Sequence, residues 1–201
     1  MRSPNVLHFY HRHCVTRAAN CLRLVRLNRT RPLREPDEAL YRIQRALTGT
    51  VSYLAAAETN TTFSEYVLYE PILRILMVRG YLVTCELRCP GLPRKNKQGD
   101  YKRLDFEAIK KRKHFALEVK WPRPKQSPRP RVRTFNIQRD HLKLVAFRNK
   151  NPKARCFFCL FGRYNDISRA KLKPNQYSEA LPAIYALFGR TQYGCRIYAL
   201  K

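Results

Sequence analysis

The chain has 201 residues, 44% of them hydrophobic, enough for one compact domain with its own core. Its 41 Lys and Arg against 14 Asp and Glu give a formal net charge of +27, a field that selects polyanions, nucleic acid first. No stretch approaches the ~20 apolar residues of a membrane span, and MRSPNVLHFYHRHC lacks the apolar run of a signal peptide, so an intracellular protein with no membrane partner is expected.

In chain order, residues 1–34 form a basic arm with eight arginines, three histidines and no Asp or Glu. Such a single-sign block suits an anionic partner. Residues 35–61 read as a helical extension: Pro36 and Asp37 mark its start, and Leu40, Ile43, Leu47, Val51 and Leu54 form its stripe. Gly49 is a point where it bends or splits. From residue 62 onward the pattern is that of an α/β domain. A helix over 62–79 opens on Thr62-Phe-Ser-Glu65, a capping box, and Pro71 marks a kink or restart. Strands are expected over 81–89, 101–109 and 113–121. Two breaker-rich basic loops, 90–100 and 122–133, flank the last two of them. A helix over 134–149, a buried strand over 155–164, a helix over 177–188 and a final strand over 195–200 complete the reading. Seven cysteines, an odd number, read as reduced thiols; Cys156-Phe-Phe-Cys159 has knuckle spacing but sits in an apolar strand.

Three of the scarce acids, Asp105, Glu107 and Glu118, stand in a short stretch crowded with cations, RLDFEAIKKRKHFALEVKW, residues 103–121. Strand parity puts Asp105 and Glu107 on one face and Glu118 and Lys120 together on the next strand. A turn at Lys111-Arg112 pairs residues whose numbers sum to 223, so Asp105 faces Glu118. A three-residue loop would put the two on different faces. Facing carboxylates repel and weaken a purely structural sheet. A divalent cation between them removes the objection, and hard oxygen donors point to Mg²⁺ or Mn²⁺. Lys120, one pleat along, is placed to orient water or to stabilise developing negative charge. The competing reading is a set of solvent-facing salt bridges. The apolar residues around Glu-Val-Lys, FAL before it and Trp121 after it, place that strand on a buried face instead.

RLDF followed by ALEVK resembles the PD-(D/E)XK nuclease superfamily. SEYVLYEPILRILMVRGYLVTCEL is similar to that family's first helix and strand, IQRDHLKL to the helix after the lysine strand, and CFFCLFG to the next core strand. The resemblance spans about 60 to 165. It implies a restriction-endonuclease-like αβββαβ core over 62–201, with a central mixed sheet flanked by helices. It also implies metal ligation by Asp105 and Glu118, Lys120 as the catalytic lysine, and a helical acid, Glu65 with Glu70 as competitor. Gln138 matches a glutamine that some relatives carry on the post-motif helix. The Pro preceding the first Asp is absent, Arg103-Leu104 standing there. A homodimer is compatible with the family.

The charge supplies the grip on a phosphate backbone. Arg94, Lys95, Lys97, Lys102 and Arg103 precede the acids; Arg123, Lys125, Arg129, Arg131 and Arg133 follow them. The expected activity is hydrolysis of DNA phosphodiesters. RNA, a nuclease toxin delivered as an effector, and a non-catalytic nucleic-acid-binding module on the same scaffold remain open alternatives.

Overall fold

The structure, a computed structural model, describes residues 33–57, 65–89, 102–122, 137–170 and 172–201, with the backbone alone of Glu65 and Tyr66. The N-terminal arm, the capping-box Thr62 and most of both basic loops lie outside these residues.

Helix α1 (Asp37–Ala56) opens with Asp37 and Glu38 in its first turn, where carboxylates favour the helix dipole. Leu40, Ile43, Leu47, Val51 and Leu54 are all buried, as the stripe required. It runs through Gly49 as one helix, because a single glycine weakens but does not break a well-packed face. A 3₁₀ turn (Glu65–Leu68) then leads into α2 (Tyr69–Val78). Pro71 falls in the first turn of α2, where its missing N–H costs nothing, so the expected kink is a restart.

Three strands follow, β1 (Leu82–Arg88), β2 (Arg103–Lys110) and β3 (Lys113–Lys120). Next come α3 (Ile137–Lys150), β4 (Arg155–Arg163) and the short α4 (Tyr164–Arg169), which the sequence reading lacked. The chain then forms β5 (Tyr177–Glu179), β6 (Ile184–Phe188) and β7 (Thr191–Leu200). The sheet is mixed, ordered β1-β2-β3-β4-β7-β5 with β6 also on β7. β3 and β4 are parallel and the other pairs antiparallel. A parallel neighbour cannot be reached by a hairpin, so α3 serves as the crossover.

Residues 177–188 are strand rather than the expected helix. β5 and β6 are two pieces of one broken strand along β7, separated around Pro182. Gly189, at φ +56°, opens a two-residue hairpin from β6 into β7, which therefore starts at Thr191 and not at 195. α1 seals this region with polar bonds: Gln44 Nε2 donates to the carbonyls of Pro182 and Cys195 at 3.4 Å, and Thr48 Oγ1 to that of Ile184 at 3.3 Å.

Helices cover both faces, giving an α/β layered architecture. On one face α1 and α2 pack over Phe106, Phe115, Leu117, Val119 and Phe157. On the other, Leu144 and Phe147 of α3 and Ile167 of α4 pack over Leu104, Ala116, Phe158 and Leu160. Cys156 and Cys159 are both buried but belong to opposite faces, so they cannot share a zinc ion. Among the described residues no helix is long and apolar enough to cross a membrane.

Trp121, directly after Lys120, is held against Phe161 with ring centroids 5.4 Å apart. It fits because Gly162 has no side chain: a Cβ there would lie 2.9 Å from the indole Nε1, and its φ of +133° suits glycine alone. Gly162→Ala is expected to destabilise by about 1–3 kcal/mol and to shift the emission of Trp121, the sole tryptophan. An unchanged urea midpoint and spectrum would refute this packing argument.

Candidate active site

The β2–β3 hairpin has the two-residue loop that the sum of 223 requires: Lys110 pairs with Lys113 and Phe106 with Leu117, with Lys111 at φ +50°. Extending this register sets Asp105 against Glu118, but there the ladder gives way to side-chain bonds. The Asp105 N–H donates to Glu118 Oε2 at 3.4 Å, and the Val119 N–H donates to Asp105 Oδ2 at 2.7 Å. Each strand thus satisfies the other's backbone with a carboxylate instead of a carbonyl. That opens the sheet at the point where the two acids meet.

The other side of β2 is disturbed at the same residue. Its register with β1 is the same on either side, Cys85↔Phe106 and Leu87↔Leu104, but the pair between them, Glu86 with Asp105, is missing, and Glu86 takes φ +53°. A non-glycine residue adopts that conformation at a cost, and such outliers re-aim side chains beside functional sites. Here the Glu86 carboxylate turns toward α2, where the Tyr69 hydroxyl contacts Glu86 Oε1 at 3.1 Å and Asp105 Oδ1 at 2.6 Å. Burial first, and then the Asp105 charge, raise the Tyr69 pKa far above its ordinary value, so the hydroxyl keeps its proton and donates. Leu104 consequently joins the α3-side core, against simple parity with Phe106.

On the α3 side Glu118 is buried, 2% exposed. Its Oε1 is held by the Lys143 ammonium, which also lies 3.1 Å from Asp140 Oδ1. Asp140 Oδ2 in turn faces the Lys120 ammonium at 3.9 Å. One continuous polar chain therefore joins Glu86, Tyr69, Asp105, Glu118, Lys143, Asp140 and Lys120. Its four carboxylates and two ammoniums leave a formal charge of −2, in a chain whose total is +27.

The structure brings together Asp105, Glu118 and Lys120 of the expected set. Glu70 faces solvent and pairs with Arg74 at 2.8 Å, so it contributes nothing here. Glu65 lies in the 3₁₀ turn and its side chain is outside the described residues. Gln138 is exposed in the first turn of α3, two residues before Asp140. Glu107 bonds His114 Nε2 at 2.9 Å, a separate pair. Of the expected phosphate-gripping residues, Lys102 and Arg103 are described, at the start of β2; the other eight are not. Sequence reasoning missed Glu86, Tyr69, Asp140 and Lys143. The i, i+3 spacing of Asp140 and Lys143 within IQRDHLKL is a readable signal that both lie on one helix face.

Whether these donors suit a metal turns on the ion. Among the described residues no three His, Cys, Asp or Glu stand grouped as an all-protein cage would need, and the side chain of Glu65 lies outside them. Mg²⁺ does not need one: it keeps most of its waters and takes one or two carboxylates plus substrate phosphate. Asp105 and Glu118 are hard donors of that kind on adjoining strands, but each of their four oxygens already has a protein partner, so a metal would have to displace at least one of these. Set against protein-family models, curated proteins and solved structures, the chain matches none.

Tyr69→Phe removes the donor from Asp105 Oδ1 and is expected to cost about 1–3 kcal/mol. Because the folded-state pKa of Tyr69 is raised, this stability is complete below about pH 10 and drains away as pH rises further. Denaturant midpoints should therefore fall less steeply above pH 10 in the variant than in the wild type. Parallel curves would contradict the assignment.

Proposed function

We propose that the chain is a metal-dependent endonuclease that hydrolyses DNA phosphodiesters on a restriction-endonuclease-like core. The observation that carries this reading is the meeting of Asp105 and Glu118 on adjacent strands, where each carboxylate accepts a backbone N–H of the other strand. Facing carboxylates repel, and a divalent cation between them would offset that repulsion. The order Asp, Glu, any residue, Lys on two adjacent antiparallel strands supports the same reading.

Asp105 and Glu118 would hold Mg²⁺ or Mn²⁺, which supplies Lewis acidity toward the phosphoryl oxygens and a nucleophilic water. The residues of the chain do the rest. Lys120, with its ammonium partly exposed beside Asp140, is placed to orient the attacking water and to offset the charge that develops on phosphate. Tyr69 and Val119 fix both oxygens of Asp105, so that carboxylate is oriented before substrate arrives. At the mouth of the hairpin Arg88 and Arg103 are cross-strand neighbours, two residues from Asp105. Like charges so placed repel, and a phosphate backbone relieves the repulsion.

The test is supercoiled plasmid incubated with Mg²⁺ or Mn²⁺. The wild type should nick or linearise it. Asp105→Ala, Glu118→Ala and Lys120→Ala should each lose about 10²-fold or more in rate while still binding DNA. Cleavage that survives Glu118→Ala would sink the assignment. One observation favours a second reading, a binding module without catalysis: the Lys143 ammonium already compensates Glu118. That module would bind DNA tightly and in a salt-sensitive way, with no cleavage under any divalent ion.

A further inference from the structure

Lys143 is a buried cation, 8% exposed, placed among acids rather than at the surface where lysines normally end. It comes from α3, not from either hairpin strand, and it touches two carboxylates, Glu118 Oε1 and Asp140 Oδ1. Glu118 is itself 2% exposed, and its other oxygen takes the Asp105 N–H. With Lys143 in place, Glu118 does not stand as an uncompensated buried charge in the protein alone. Asp140 holds the same ammonium from the preceding turn of α3, so Lys143 has a second partner if its first is taken.

We propose that Lys143 is a positioning residue that stands in for a divalent cation on Glu118 and yields that carboxylate when the cation binds. The inference rests on the nuclease reading above and deepens it. Metal uptake is then an exchange of one positive charge for another at a single carboxylate. The displaced ammonium keeps its bond to Asp140, which also faces Lys120. Lys143 thus sets how tightly the metal is held.

The probe is Mn²⁺ alone, titrated calorimetrically into the full-length protein without DNA. Lys143→Met keeps the aliphatic stem and removes the competitor, so it should bind Mn²⁺ at least tenfold more tightly than the wild type. A scaffold role alone predicts equal or weaker binding. Because the variant leaves Glu118 uncompensated, its melting temperature should be lowered without metal and should rise more on adding Mn²⁺ than the wild type's does. Lys143→Met combined with Glu118→Gln removes both charges; it should fold without metal and lose the tight Mn²⁺ site.

Equal or weaker Mn²⁺ affinity in Lys143→Met, with wild-type binding still dependent on Asp105 and Glu118, overturns the exchange and leaves the nuclease reading standing. The absence of Mn²⁺ binding in both proteins overturns the two together. A Lys143→Met chain that stays unfolded even in Mn²⁺, while the double variant folds, also overturns the exchange. It would show that a metal cannot take the place of the ammonium.

Discussion

The site depends on one constraint: two facing carboxylates weaken a β-ladder. At Asp105 and Glu118 the strands trade carbonyl acceptors for side-chain acceptors, and the sheet opens without leaving those backbone donors unmet. The neighbouring features follow from that exchange. Glu86 takes a costly backbone conformation opposite the break, Tyr69 reaches from α2 to donate to Asp105 and to contact Glu86, and α3 brings a cation to Glu118, the carboxylate that faces away from solvent. Burying a carboxylate with an ammonium partner is close to neutral in stability, whereas burying it alone costs several kcal/mol, ~3–5 when one partner of a buried pair is removed. The arrangement therefore reads as a device for keeping acid inside the protein, which a simple salt bridge on the surface would not require.

How legible this was depended on the periodicity each element carries. Period two and loop length give the hairpin register, whose pairs from Phe106↔Leu117 to Lys110↔Lys113 fall on the required sum, though parity breaks beyond Phe106, where Leu104 joins the opposite face. The stripe of α1 was equally plain, because five apolar positions recur at helical spacing on one buried face. What escaped was set by tertiary geometry. No local pattern announces that Glu86 will adopt φ +53° or that Tyr69, rather than Glu70, will face the sheet. The stretch 177–188 misled for a different reason: its apolar residues approximate a helical stripe as well as a strand. Pro182 and Gly189-Arg190 were the arbiters. They mark a broken edge strand followed by a hairpin loop with glycine in its first position.

Charge and fold divide the labour differently from a protein that recognises a neutral ligand. The cations are spread along the chain, including the start of β2, while described acids lie in the first turn of α1, pair locally, or gather around Asp105 and Glu118. The net positive charge acts at long range, whereas the field of the acids gathered around Asp105 and Glu118 acts at short range. The two fields do not cancel, because salt and distance screen the first while burial preserves the second.

The position of β7 carries a consequence for the birth of the protein. Although it is the last strand described, it lies between β4 and the broken β5–β6 strand, and α1 bonds to its Cys195 carbonyl. During synthesis strands β1 to β4 emerge well before β7, and until it arrives β4 is an open sheet edge whose backbone groups from Phe157 to Arg163 lack their ladder partners. Contacts between α1 and β7 span most of the chain, so this closure is slow relative to hairpin formation. A ribosome stalled short of Thr191 would hold a nascent chain with its acids already paired and its sheet unfinished. Such a species is more prone to aggregate than to act.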